Sequence, residues 1–198
     1  SAEEREMLLR LLRFGAMRVD DVMVPRADII AADESESVAE VLATFVDAGV
    51  SRIPLFHETL DDPRGMVHVK DLLGWLAGTA RAEAAAASPA EAAQAATPAT
   101  PAGADRPAHV TLAATLGSVD LSMTIAATKL RRQVLYVPPS MPAMNLLIRM
   151  QSTRNHMAIV VDEYGGTDGL VTIEDLLEQI VGDIEDEHDE ADASQIVE

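Results

Sequence analysis

The residues with the most chemical content are a threonine and an aspartate three positions apart, in Gly169-Leu170-Val171-Thr172-Ile173-Glu174-Asp175-Leu176-Leu177. The apolar run ending at Thr172 reads as a strand and the pattern after it as a helix, so the pair stands at a strand-to-helix junction. Two kinds of chemistry fit that place. One is structural: a hydroxyl followed three residues later by an acid forms a helix capping box, each side chain satisfying the other residue's backbone N–H. The other is recognition. A helix N-terminus presents unpaired N–H groups and a favourable dipole, and a carboxylate there accepts hydrogen bonds from both hydroxyls of a sugar diol. Spacing alone leaves both readings open. Val50-Ser51-Arg52-Ile53-Pro54 holds a second candidate. Arg52 opens a strand between apolar neighbours, where an arginine serves as a rim residue or as a planar partner for phosphate.

The first block has an earlier copy, Gly65-Met66-Val67-His68-Val69-Lys70-Asp71-Leu72-Leu73, at an offset of 104 positions. Asp71 stands where Asp175 stands, and His68 takes the place of Thr172. The offset extends without a gap back through Ile53 and Met157, Leu42 and Leu146, and Ala39 and Ala143. A repeat of this kind implies two copies of one supersecondary unit packed together, and any site between them in two related but unequal versions. At this offset His156 lies opposite Arg52. Mostly neutral at pH 7, it would be a weaker phosphate partner. No second ligand lies at helical or turn spacing from it, which argues against a metal site.

The elements that must position these residues follow from periodicity and punctuation. Glu3 to Phe14 reads as an amphipathic helix carrying Met7, Leu8, Leu11 and Leu12 on one face, expected to pack on the first repeat or a second subunit. Pro25 makes Val24 extended, and Asp28 to Ala32 is strand-like. Ser37 to Ala48 is a helix with Val38, Val41, Leu42 and Phe45 as its buried stripe, capped by Ser35 or Ser37 and ended by Gly49. Strands at Arg52–Phe56 and Gly65–Val69 flank a polar turn over 57–64, and Lys70 to Leu76 is a second helix. The second copy runs the same way: Val134–Val137, a helix over Ala143–Ser152, Met157–Val161, a glycine-rich turn over 162–168, Leu170–Ile173, and a helix over Glu174–Val181. Each copy is β-α-β-β-α, an α/β (α+β) fold. The expected boundaries are an N-terminal helix over 1–18, repeat 1 over 19–78, an Ala/Pro-rich, largely disordered linker over 79–128, repeat 2 over 129–184, and an acidic tail over 185–198. The linker's core has no large apolar side chain to offset its ordering entropy. The stretch 110–128 has no clear assignment beyond a strand or turn that docks before repeat 2.

Composition narrows the function classes. The chain has 198 residues, a formal charge of −18, 3% aromatic residues and no cysteine. The core must therefore be aliphatic, and disulfides and thiolate metal sites are excluded. The acidic balance argues against nucleic acid as a partner, which needs cations to replace its counterions. Eight of the acids fall between Asp183 and Glu198, with no Lys or Arg among them; such a run reads as a solvated end. No apolar run reaches the ~20 residues of a membrane-spanning helix, no signal peptide is visible, and the first residue is not Met. Enzyme chemistry finds no support either, since no nucleophile–base pair, metal cluster or phosphate-cradling loop stands out. Gly165-Gly166 lies in a strand-connecting turn, where glycine supplies positive φ.

The repeat with its Gly-x-Val-x-x-x-Asp-Leu-Leu ending resembles a CBS domain, two copies of which pack as a CBS pair or Bateman module. More narrowly, Asp21-Val22-Met23-Val24-Pro25-Arg26, Ser51-Arg52-Ile53-Pro54 and the run from Asn155 through Asp162-Glu163-Tyr164-Gly165-Gly166-Thr167 resemble the CorC/HlyC group of magnesium and cobalt efflux proteins, to which the CNNM transporters are related. The resemblance covers roughly Glu3–Phe56, Met66–Leu76 and Leu130–Glu187, and leaves out the linker. It implies a non-enzymatic regulatory module that binds an adenine nucleotide, ATP or AMP, in a cleft between the repeats, with Mg2+ as counter-ion to the phosphates. Carried over, Thr172 and Asp175 would hold the ribose, Arg52 would face phosphates, and Val24, Val50, Ile53 and Pro54, with Ser51 beside them, would complete the pocket. Family members often carry Thr where this chain has Val24, so a backbone contact survives there and a hydroxyl contact does not. A second, weaker site would use His68, Asp71, Pro138, His156 and Ala158. The resemblance also implies a homodimer through the repeat helices, a membrane or accessory domain elsewhere in the parent protein, and a place at the cytoplasmic face of the bacterial inner membrane. The alternative is a structural dimerisation module with an empty pocket.

Overall fold

The computed structural model describes residues 2–86 and 119–182. The chain divides into two compact units, one made of residues 1–29 and 134–198, the other of residues 30–133. The acidic tail, and the linker over 87–118, lie outside the described residues. No helix among the described residues is long and apolar enough to cross a membrane.

The first unit holds α1 (Ala2–Phe14), β1 (Val24–Pro25), β5 (Leu135–Val137), α4 (Ala143–Thr153), β6 (Met157–Val161), β7 (Thr167–Thr172) and α5 (Ile173–Val181). Its sheet has the order β1-β7-β6-β5. The lead-in of the first sequence repeat thus joins the sheet of the second: Val24 pairs with Leu170 and Pro25 with Gly169, antiparallel. Gly169 permits this, because a Cβ there would lie 2.6 Å from the Met23 sulfur and 2.7 Å from the Val24 carbonyl. The core is aliphatic apart from Phe14, which seats α1 among Leu135, Leu146, Met150 and Leu176. Helix α1 lies along α5, where Arg10 Nη1 donates to the Val181 carbonyl at 2.7 Å. Met7, Leu8, Leu11 and Leu12 stay exposed.

The second unit holds β2 (Ala32–Asp33), α2 (Val38–Ala48), β3 (Arg52–His57), β4 (Thr59–His68) and α3 (Val69–Ala86), with the sheet order β2-β3-β4. Ser37 caps α2, accepting the Glu40 N–H, and Gly49 closes it in the left-handed conformation at φ +64°. The expected turn over 57–64 shrinks to Glu58, at φ +58°. Asp33 Oδ2 accepts the Glu58 N–H at 2.6 Å and fixes that corner, so the polar residues after it continue as strand. Pro63 is tolerated because β4 is an edge strand. Helix α3 outruns its expected end at Leu76 because the alanine-rich sequence beyond is strongly helix-forming and Ala80 is fully buried. Residues 119–133 also belong to this unit: Val119 and Ile125 enter its core, Ser37 bridges Thr124, and Arg132 bridges Met66. The lead-in of the second repeat has thus joined the sheet of the first, the reciprocal of β1.

The repeat is not gapless. The buried residues Val38, Val41 and Phe45 of α2 align with Ala143, Leu146 and Met150 of α4, where Leu147 is buried as well, an offset of 105. The left-handed caps Gly49 and Arg154 share it. Strand register agrees, since Ile53 pairs with Val67 and Ala158 with Val171. Only from β4 and β7 onward is the offset 104. The first hairpin carries one more residue, taken up by irregularities at Leu55/Phe56 and Phe56/His57 against one at Val160/Val161. A one-residue bulge of this kind is invisible to an ungapped comparison.

Candidate functional site

In the first unit the loop-free passage from β7 into α5 sets Thr172 and Asp175. Thr172 is the N-cap residue at φ −102°, ψ 162°. Its N–H donates to Asp175 Oδ2 at 2.7 Å, its hydroxyl donates to the same oxygen at 2.8 Å, and the Asp175 N–H returns to Thr172 Oγ1 at 3.2 Å. The capping box is therefore formed. It uses one carboxylate oxygen only: Asp175 Oδ1 receives none of these bonds, and both residues are half-buried. A carboxylate locked through one oxygen offers the other to a ligand hydroxyl at the positive end of α5. Val24 sits across from Leu170, two residues along β7 from Thr172.

In the second unit the same junction carries a different set. His68 Nδ1 accepts the Lys70 N–H at 3.0 Å, so an imidazole stands in for the threonine cap. That bond places the proton of the neutral ring on Nε2. Burial, then the Arg52 charge, holds the His68 pKa below the usual imidazole value. Asp71 has no free oxygen: Arg132 Nε donates to Oδ2 at 2.5 Å and Arg132 Nη2 to Oδ1 at 2.7 Å, a bidentate fork. This hydrogen bonding holds the Asp71 carboxyl below the usual carboxylate range and raises Arg132.

The remaining candidates divide between the units. Val50 and Ser51 are exposed before β3, Arg52 is half-buried at its start, and Ile53 and Pro54 are buried. Ile53 belongs to the second unit's core. In the first unit Pro138 follows β5, His156 precedes β6, and Ala158 is a core residue. The register also corrects one equivalence. Arg52 pairs with His68 and Met157 with Thr172, so the counterpart of Arg52 is the buried Met157 rather than His156. His156 takes the place of Ser51: each gives its carbonyl to the first N–H of the following helix, Ile173 and Val69 respectively, both at 3.0 Å. Arg132 escaped the sequence reading, although Lys129, Arg131 and Arg132 form a cationic cluster in a chain of formal charge −18. Among the described residues no group of three or more His, Asp or Glu is placed to hold a metal.

Two β-α-β-β-α copies, each closing on a helix with an aspartate in its first turn, define a tandem repeat, and comparison with known families agrees. The CBS domain model matches residues 19–78 and 126–182. The chain belongs to the CBS-domain family and carries the domain as a pair. It is similar to the magnesium and cobalt efflux protein CorC of Escherichia coli, at 32% identity over 96% of this chain and 51% of that protein. It is also similar to hemolysin C of Rickettsia prowazekii, at 35% identity over 96% of this chain and 49% of that one. The chain spans between 36% and 51% of the length of such curated relatives. Among solved structures, the CBS domain of a bacterial CNNM/CorC family Mg2+ transporter in complex with ATP matches with a TM-score of 0.64 and 29% identity, covering 91% of this chain and 99% of that one.

Proposed function

We propose that this CBS pair is the adenine-nucleotide sensor of a magnesium or cobalt efflux protein, with ATP as the first ligand to test and AMP the second. The observation that carries the reading is the Thr172–Asp175 cap, which orients a half-buried carboxylate through one oxygen and leaves the other with no bond among the described residues. That group fits a ribose diol. The solved ATP complex of a relative similar over nearly the whole chain supports the same ligand class. Thr172 and Asp175 are assigned to the ribose and Arg52 to the phosphates. A nucleotide tetra-anion approaching a chain of formal charge −18 needs neutralisation, so Mg2+ should strengthen ATP binding. Binding would act by selecting one of two arrangements of the parent protein, and the module itself would catalyse nothing. Association as a homodimer through the repeat helices is supported by exposed apolar residues on four of them: Val46, Leu73, Ile148 and Leu177. In the parent protein the module would lie on the cytoplasmic side of the inner membrane.

One observation favours a second reading, a structural dimerisation module: Thr172 and Asp175 already satisfy each other as a cap. Calorimetric titration with ATP and AMP, with and without Mg2+, separates the two. Saturable binding that disappears in Asp175→Ala supports the sensor. No binding to a folded dimer leaves the structural module.

A further inference from the structure

The two first-turn aspartates, Asp71 and Asp175, are equivalent in sequence and unequal in structure, and the residue that makes them unequal is neither a cap nor part of the repeated motif. Sheet register identifies it. Val24 pairs with Leu170 on β7, and Arg132 bridges Met66, the residue of β4 equivalent to Leu170. Val24 and Arg132 thus hold the same place on the exchanged lead-in of each unit. The glycines opposite agree, because a Cβ on Gly169 would meet the Val24 carbonyl and one on Gly65 the Arg132 carbonyl. At this place the first unit has a short apolar side chain and Asp175 keeps an oxygen open. The second unit has a guanidinium that takes both oxygens of Asp71 in a fork.

We propose that Arg132 is a tethered occupant of the Asp71 site, fixing nucleotide stoichiometry at one per chain by filling the carboxylate that would otherwise receive a second ribose. The inference rests on the reading of Asp175 as a ribose contact. A planar fork meets a carboxylate at two points, as a vicinal diol does, and adds charge attraction that a diol lacks. Its effective concentration is that of a group on the same unit, which a free ligand must exceed. The rest of the site is compatible with a ligand: His68 caps α3 as Thr172 caps α5, and its neutral ring carries a donor on Nε2. On this view the asymmetry of the pair comes from position 132 more than from the histidine.

The test compares the wild-type chain with Arg132→Val, which copies the Val24 side chain, and with Arg132→Gln as a second variant should valine disturb folding. Arg132 is 55% exposed, so both should fold. ATP binding is counted by calorimetry, and the His68 ring resonances are followed by NMR as a local reporter. Binding should rise from one to two ATP per chain in the Arg132 variants, with His68 shifting on ATP addition only there. The added site should vanish when Asp71→Asn is combined with Arg132→Val and persist when Asp175→Ala is. One ATP per chain in every variant with His68 unmoved overturns the inference and leaves the sensor standing. Weakened binding in Arg132→Val also overturns it, since Arg132 would then be a ligand contact. No binding to wild type refutes the sensor reading instead, and a new Asp71-dependent site in Arg132→Val would still support the tethered occupant.

Discussion

Replacing Thr172 with valine removes one oxygen and keeps the branched shape. That oxygen accepts the Asp175 N–H at 3.2 Å and donates to Asp175 Oδ2 at 2.8 Å. Losing a capping hydroxyl costs about 1 kcal/mol, within a usual span of roughly 0.5–2. With a urea m-value of roughly 1–3 kcal/mol/M, the unfolding midpoint should fall by about 0.3–1 M. The effect on ligand should differ in kind. The Thr172 backbone N–H still holds Asp175 Oδ2 at 2.7 Å in the variant's starting geometry, so the carboxylate keeps its orientation. ATP affinity should drop less than about tenfold, which is 1.4 kcal/mol, whereas Asp175→Ala removes the acceptor and most of the binding. Thr172→Ser should restore both properties. An unchanged urea midpoint in Thr172→Val would refute the reasoning, because the cap that orients Asp175 would then contribute nothing in solution.

The equivalent C-caps offer a matched pair: Gly49 at φ +64° and Arg154 at φ +56°. Left-handed backbone costs a side-chain-bearing residue about 1–2 kcal/mol, so Gly49→Ala should destabilise by about 1 kcal/mol. Arg154→Gly should stabilise by about 0.5 kcal/mol after the extra freedom of the unfolded glycine. Opposite or absent shifts in chemical denaturation would contradict the left-handed assignment. Gly169→Ala should cost about 2 kcal/mol or more, as its methyl meets Met23 and the Val24 carbonyl, the overpacking case; hydrogen exchange should then show β1 released first. By NMR, His68 should titrate below 6.5, its ordinary value, and move upward in Arg52→Ala. A folded value depressed in this way means that the unfolded chain binds the proton first, so this contribution to stability falls as pH drops below 6.5. A His68 titration at or above 6.5 would refute the burial argument. Asp71 works at lower pH. Its depressed carboxyl stabilises fully above 3.8 and loses that contribution as pH falls through the folded value; Arg132→Ala should flatten this limb in acid denaturation curves.

Local chemistry made much of this fold legible. Gly49 after an apolar stripe, Thr172 three residues before Asp175, and short apolar runs bounded by turn residues each carry a short-range rule that the structure obeys. What escaped depends on distant partners. Val24 pairs with Leu170 and Arg132 with Asp71, and no periodicity connects such residues. The false register had a physical cause as well. Identity is densest from Gly65 and Gly169 onward, where the offset is 104, while the extra hairpin residue shifts everything before it by one. That single position put His156, rather than Met157, opposite Arg52. The Thr172–Asp175 cap was readable from the motif. The closure of Asp71 was not, because Arg132 lies outside the motif and its counterpart, Val24, carries no charge.

The reciprocal exchange of lead-in segments makes the second unit a continuous insert, residues 30–133, within a first unit whose two parts flank it. A single backbone cut between residues 87 and 118 would therefore leave two fragments, neither able to complete a unit alone. The first sheet would need β1 from one fragment and β5, β6 and β7 from the other. The second core would need Val119 and Ile125 returned to Val38, Leu72 and Leu76. Cut there, the two halves would regain either fold only by complementing each other.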